Sequence, residues 1–286
     1  MKAVAIVNPK AGNSIAVPLP VDTVILQTKA PGHAIELTRD ALKRGARTIF
    51  AVGGDGTVNE VVNGLFENEE PLAADAELVV IPRGTGSDFS RVLNRVVPRG
   101  DKRMIDLMKV RYTAADGTTR IRYSINVTSF GMGGEIARRV NQSSKPLGGR
   151  LAYLAATVQS AWSFPGKRVT LQLDNSKTIE ANVTNVAVGN GQYHGAGMWI
   201  CPGAIIDDGL LDLTVIRYLS LPELVKSVPT LYSGGIYSHP NVESHRVKHL
   251  EAESGEPVLI EIDGEAVGRL PIEISMVPKA VRVSMP

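Results

Sequence analysis

Val52-Gly53-Gly54-Asp55-Gly56-Thr57-Val58-Asn59-Glu60 is the stretch on which the reading of this chain turns. An apolar strand ends in three glycines around one carboxylate, and an amphipathic run begins directly afterwards. Without a Cβ, glycine lets backbone N–H groups approach phosphate oxygens, and the start of a helix adds unpaired donors and a favourable dipole. The charge of Asp55 repels phosphate, so its presence implies a cation between the two, most simply the magnesium that accompanies ATP. The same string also fits a tight strand-to-helix turn, with the glycines serving backbone geometry alone and Asp55 as N-cap. No G-x-x-x-x-G-K-[ST], no G-x-G-x-x-G and no H-R-D with D-F-G occurs, so P-loop enzymes, Rossmann dehydrogenases and protein kinases fit poorly.

Outward from this loop, the first part of the chain alternates strand and helix signals, as a mainly parallel sheet with crossover helices requires. Ala3 to Val7, Val24 to Gln27, Thr48 to Val52 and Leu78 to Ile81 read as strands. His33 to Arg44 places Ala34, Leu37, Ala41 and Leu42 on one helical face, and Val58, Val61, Val62 and Leu65 line the helix after the glycine loop. A second loop, Pro82-Arg83-Gly84-Thr85-Gly86-Ser87-Asp88, follows the last of these strands at the edge where open α/β sheets bind ligands. Beyond about Met104 the pattern turns to β. Lys109 to Tyr112 and Thr119 to Val127 flank a turn at Asp116-Gly117. Further strands are expected at Val169 to Leu173, Ile179 to Val188, Leu211 to Ile216, Val258 to Ile262 and Ile272 to Val277, as in a sandwich or barrel. Helical interruptions are expected near Ile136 to Asn141 and Leu151 to Trp162.

With 286 residues, 43% hydrophobic and 21% charged, the chain suits a globular protein of two modest domains rather than a disordered or fibrous one. Domains are expected at 1–120, joined by a returning C-terminal strand at 280–286, and at 121–279. The single Cys201 can form no internal disulfide, which agrees with a reducing, cytoplasmic location. Ala3 to Val7 is too short for a signal-peptide core. Leu151 to Phe164 is too short to span a bilayer, so no transmembrane segment is expected and any membrane contact is peripheral. A net charge of +2 excludes the strongly basic balance of a nucleic-acid binder. Local excess exists in Arg91, Arg95, Arg99, Lys102 and Arg103 against Asp101, and in Arg138, Arg139, Lys145 and Arg150. These are solvated helix faces by default, and anionic lipid headgroups are their natural partners. His245 and His249 stand at i, i+4, but without the glutamate of a zinc protease helix they do not make a metal site. Asp263-Gly264-Glu265 and Asp207-Asp208-Gly209, each taken alone, read as turns.

Five ordered motifs together resemble the diacylglycerol kinase catalytic domain family, which includes bacterial lipid kinases and sphingosine kinases. They are Val7-Asn8-Pro9-Lys10-Ala11-Gly12, Gly53 to Asn59, Gly84-Thr85-Gly86-Ser87-Asp88-Phe89, Asp207-Asp208-Gly209-Leu210-Leu211-Asp212 and Asp263-Gly264-Glu265. The resemblance implies an N-terminal three-layer α/β nucleotide-binding domain and a C-terminal β-sandwich domain, with the active site in the interdomain cleft. It implies ATP-dependent phosphorylation of a lipid hydroxyl, diacylglycerol-like, at the membrane surface; a homodimer is allowed. Carried over residue by residue, it assigns ATP to Asn8, Thr28, Gly53, Gly54, Asp55, Gly56, Thr57, Val58, Asn59 and Thr85. It names Glu265 as catalytic base, with Asp263 orienting it and Asp55 reaching the magnesium of ATP. A structural magnesium would be held by the Asp208 carboxylate and the backbone carbonyls of Ile205 and Leu210.

Two departures from the family pattern stand out. Only Asn13 to Pro20, with Pro18 and Pro20, fills the place of a helix between the first two strands, and Ser87 stands where the family commonly has Asn. Two other functions compete. One is a kinase of a soluble substrate such as NAD, which can share a G-G-D-G loop. The other is a nucleotide- or lipid-binding protein that has lost catalysis.

Overall fold

The computed structural model describes the whole chain except residues 1, 13–18, 84–86, 143–156, 158, 161 and 163. The chain divides into two compact units, Met1–Ile105 with Lys279–Pro286, and Asp106–Pro278.

In the first unit, strands β1 (Ala3–Val7), β2 (Val24–Gln27), β3 (Thr48–Gly53) and β6 (Glu77–Pro82) form a parallel sheet in the order β2-β1-β3-β6. The end of the last strand, β18 (Glu265–Ser284), completes it by pairing Arg282 to Ser284 in parallel with Glu77 to Val79. Near-continuous apolar runs such as Thr48-Ile49-Phe50-Ala51-Val52 suit strands covered on both faces. Ala5, Phe50, Val52, Val79 and Ile81 pack together on one side with Leu19, while Val4, Ile6, Ile49, Ala51, Leu78 and Val80 are buried on the other. Helices α1 (His33–Lys43) and α2 (Asp55–Gly64) pack against one another. The two-residue strands β4 (Phe66–Glu67) and β5 (Glu70–Pro71) make a short hairpin, and α3 (Asp88–Val96) follows β6. Since the strands are parallel, Asn8, Thr28, Gly53 and Pro82 share the carboxyl edge. Of the segment Asn13 to Pro20, only Leu19 and Pro20 are among the described residues.

The second unit is an antiparallel β-sandwich. Its strands are β7 (Lys102–Ala114) from Asp106 onward, β8 (Thr119–Ser124), β9 (Val127–Gly131), β10 (Lys167–Leu173), β11 (Lys177–Gly189), β12 (Tyr193–His194), β13 (Met198–Trp199), β14 (Leu211–Arg217), β15 (Val242–Val247), β16 (His249–Glu253), β17 (Leu259–Ile262) and the body of β18. The long strands β11 and β18 each serve both sheets, so the ladder β10-β11-β9-β17-β18-β16 closes on β10. Closure removes the edges of these six strands, leaving β15 beside β14 and β8 beside β7 at the margins. Leu171, Val183, Val186, Leu213, Leu250, Ile260, Ile272 and Ile274 fill the interior. Helix α4 (Met132–Gln142) lies against β17, an approach that needs glycine. A Cβ at Gly134 would sit 2.3 Å from the Leu259 carbonyl oxygen, and one at Gly133 2.2 Å from Ser129 Oγ.

Three details differ from the sequence reading. Thr119 to Val127 is two strands, because Ile125 and Asn126 turn their N–H groups to Asp263 instead of to a neighbouring strand. His245 and His249 lie on separate strands, β15 and β16. Helix α5 (Leu221–Ser233) was not anticipated, although Ser220 donates its N–H and hydroxyl to Glu223 three residues on and a proline sits in the first turn. Pro229 inside it breaks the helical signal. The helix expected over Leu151 to Trp162 falls largely outside the described residues. None of the described helices is long and apolar enough to cross a membrane.

Candidate active site

The glycine loop is the junction of β3 and α2. Asn8 joins it to the first loop: its N–H donates to the Val52 carbonyl (3.0 Å) and its Nδ2 to Thr57 Oγ1 (3.3 Å). The Thr28 N–H is held by the Val7 carbonyl (2.9 Å) and the Arg83 N–H by that of Gly53 (2.7 Å). Gly53 answers a local need, since a Cβ there would lie 2.6 Å from the Cβ of Thr57. Gly54 does not. It is extended at the N-cap of α2, and a Cβ would meet only the Arg83 carbonyl oxygen at an ordinary 3.7 Å. No side chain caps α2. A helix start with a bare glycine at its cap has the geometry of an anion cradle. Thr57, Val58 and Asn59 are buried in the first turns of α2, and Thr85 lies outside the described residues.

Asp55 does not cap its own helix. Its Oδ2 accepts the N–H of Asp88 (2.9 Å) and its Oδ1 that of Phe89 (3.2 Å), so it caps α3. Ser87 at that N-cap is in the left-handed region, φ 44°, and makes no side-chain cap. Glu60, one face of α2 away, does the same for α1 by accepting the N–H groups of Gly32 (2.8 Å) and Ala34 (3.0 Å). Helix α2 thus places a carboxylate at the start of each neighbouring helix, where the dipole favours it. Asp55→Ala is expected to lower unfolding free energy by about 1–2 kcal/mol, the usual loss for a cap, measured by urea denaturation.

In the second unit, Asp263 and Gly264 form the two-residue hairpin between β17 and β18, both with positive φ (47° and 88°). A non-glycine residue is strained there. The Asp263 carboxylate compensates by accepting four hydrogen bonds, from Ser124 Oγ (2.8 Å) and the N–H groups of Ile125 (3.0 Å), Asn126 (3.1 Å) and Val127 (3.0 Å). Glu265 is the first residue of β18. It is about one-third exposed, and Arg122 donates to its Oε2 at 2.7 Å. Glu261, two residues before Asp263, is wholly buried, and burial pushes its carboxyl above the usual range.

The Asp208 turn is also compact. Asp208 Oδ1 accepts the Leu210 N–H (3.0 Å), and Arg246 pairs with its Oδ2 and with the buried Asp212 (3.2 Å). Asp106, fully buried, accepts the Gly209 N–H at 2.6 Å and takes the Ile206 carbonyl with its own N–H. Ile205 is exposed. Ile205, Asp208 and Leu210 offer oxygen ligands only, which suits magnesium, and an ion would share Asp208 with Arg246. Among the described residues no three acidic, histidine or cysteine side chains group to hold a metal.

Residues 2–118 match the diacylglycerol kinase catalytic domain, and residues 126–285 match the YegS C-terminal NAD kinase beta sandwich-like domain. The "Probable lipid kinase YegS-like" of Stenotrophomonas maltophilia (strain K279a) is 31% identical over 271 residues, covering 89% of this chain and 84% of that one. Its counterpart in Xanthomonas oryzae pv. oryzae (strain MAFF 311018) is 30% identical over 265 residues with the same coverage. The chain belongs to the YegS-like lipid kinase family. A crystal structure from Bacillus anthracis str. Sterne assigned to the diacylglycerol kinases is 26% identical, with TM-score 0.75, covering 99% of this chain and 96% of that one. Yeast NADH kinase shares the fold alone, at 13% identity and TM-score 0.50 over 92% of this chain and 65% of that one.

As a YegS-like chain it is a kinase, and ATP is its phosphoryl donor. Sequence reasoning missed three of its polar residues: Glu60, which starts α1; Arg122, which pairs with Glu265; and Glu261. Glu60 directly follows the Gly53 to Asn59 motif without a role being read for it, and the other two stand in no motif. Only the register of β8, β9, β17 and β18 brings the last two to the Asp263 turn.

Proposed function

We propose that this kinase transfers the γ-phosphate of ATP to the hydroxyl of a diacylglycerol-like lipid. The observation that carries the proposal is the Asp263 turn, a strained hairpin tied by four hydrogen bonds that holds a part-exposed carboxylate, Glu265, at the head of β18. In this reading the triphosphate lies on the N-terminus of α2, with Gly54 letting it approach the backbone and Asn8, Thr28 and Thr57 around it, and Thr85 is assigned to it by the family resemblance alone. Magnesium bound with ATP supplies charge neutralisation, and Asp55 is the acid nearest the cradle to serve it directly or through water. Glu265 takes the proton of the lipid hydroxyl as that oxygen bonds to the γ-phosphorus and the bond to the β-phosphate oxygen breaks, releasing ADP. Asp263 orients Glu265. The acceptor resides in a bilayer, and the exposed Arg95, with Arg91 one turn earlier on the same face of α3, and the exposed Arg99 beyond the helix end suit anionic headgroups at a peripheral contact.

Radiolabelled ATP and magnesium supplied with diacylglycerol, phosphatidylglycerol, a sphingoid base or NAD in mixed micelles test the proposal. Label in the organic phase supports it; label on NAD alone, or on nothing, overturns it. A structural ion at Ile205, Asp208 and Leu210 is tested separately. A chelator is expected to lower the melting temperature by a few degrees, reversibly with magnesium, and Asp208→Ala to abolish that shift. Melting that ignores the chelator leaves Asp208 as a partner of Arg246 alone.

A further inference from the structure

Glu261 has no part in the transfer reaction just described, yet it is a carboxylate with 0% exposure. Burying such a group is disfavoured by several kcal/mol unless it is paired and hydrogen-bonded. The position is set by three strands. Glu261 stands opposite Ser129 of β9 and Ala266 of β18, where β18 carries one extra residue, Val267, in a bulge. Ser129 Oγ donates to Oε1 at 2.9 Å, and the Gly264 N–H donates to Oε2 at 2.8 Å. His194 of β12 brings Nε2 within 3.5 Å of Oε1, its side chain only 12% exposed. The charged groups acting on Glu261 are His194, which favours its ionised form, and Asp263, which opposes it.

The consequence lies in the turn. Asp263 is fastened to residues 124–127, and the next residue, Gly264, is fastened to Glu261. Two buried carboxylates therefore hold the turn ahead of Glu265, one through the Asp263 side chain and one through the Gly264 N–H. We propose that Glu261 and His194 form a positioning pair for Glu265: the carboxylate fixes the Gly264 N–H through Oε2, and the imidazole, with Nε2 beside Oε1, keeps the carboxylate in place. This rests on the reading of Glu265 as proton acceptor.

Methionine at 261 keeps the length of the side chain and removes the charge. Removing one partner of a buried pair is destabilising, and methionine leaves Ser129 Oγ and the Gly264 N–H without their acceptor, so the variant melts lower in either role, and a merely structural Glu261 predicts unchanged turnover in the folded protein. For Glu261→Met assayed well below its melting temperature, unchanged KM for ATP is expected, with kcat lowered about ten- to a hundredfold and faster amide exchange at Gly264. His194→Ala should lower kcat similarly, His194→Gln should restore most of it by keeping an N–H donor, and the double variant Glu261→Met/His194→Ala should be no slower than the worse single. Wild-type kcat and Gly264 exchange in Glu261→Met, or losses that multiply in the double variant, overturn the pair. If the wild-type protein phosphorylates no lipid, the functional reading fails, while Gly264 exchange in Glu261→Met still decides whether Glu261 holds the turn.

Discussion

Glu265→Gln is expected to lower kcat by about a hundred- to ten-thousandfold, the contribution of a well-placed general base, with KM for ATP and melting temperature nearly unchanged. The amide keeps the size of the side chain and an oxygen for Arg122, but it cannot take a proton. Stability should hold because the amide oxygen keeps the hydrogen bond from the mostly buried Arg122, while Glu265 itself is about one-third exposed. Affinity for ATP should hold because the residues assigned to the triphosphate all lie in the first unit. Steady-state kinetics with the lipid acceptor found in the micelle assay, alongside isothermal titration with ATP, separate the effects. Full turnover in the variant removes Glu265 as base.

Asp263→Ala is expected to cost at least about 3 kcal/mol of stability. Three backbone N–H groups and one hydroxyl lose their acceptor, each orphaned buried donor is worth about 1–3 kcal/mol, and the left-handed backbone at 263 loses what compensates its strain. Water entering the vacated space offsets part of the loss. Asp263→Asn separates charge from shape. Its oxygen can still serve Ser124, Asn126 and Val127, but its NH2 group faces the N–H of Ile125, so an intermediate loss is expected. Urea denaturation gives both values. A loss below about 1 kcal/mol in Asp263→Ala would mean that the turn is held by the β17–β18 ladder and not by this carboxylate.

The first half of the chain was the more legible. Parallel strands covered on both faces read as unbroken apolar runs, and helices between them show a 3.6-residue period, so β1, β2, β3, β6 and α1 were placed within a residue or two. The resemblance of five short motifs to one kinase family reached further than periodicity, because it gave the family along with the fold and offered candidate site residues to test. Periodicity failed where hydrogen bonds leave the regular pattern. Thr119 to Val127 looks like one strand because its side chains alternate suitably, and nothing local reveals that Asp263, more than 130 residues later, takes three of its N–H groups.

The same distinction runs through the site. Local sequence was enough to mark Gly53 to Asn59 as a strand-to-helix junction and Asp263-Gly264 as a turn, since glycine, aspartate and flanking apolar runs restrict backbone angles over four or five residues. Local sequence could not say what the carboxylates do. Asp55 suggested its own N-cap or a cation and proves to cap α3; Glu60 suggested nothing and caps α1; Glu261 sat unnoticed in an apolar strand and is joined to Ser129, His194 and Gly264. A side chain's partners depend on which strands and helices are neighbours and in what register, and that is settled by packing of the whole unit.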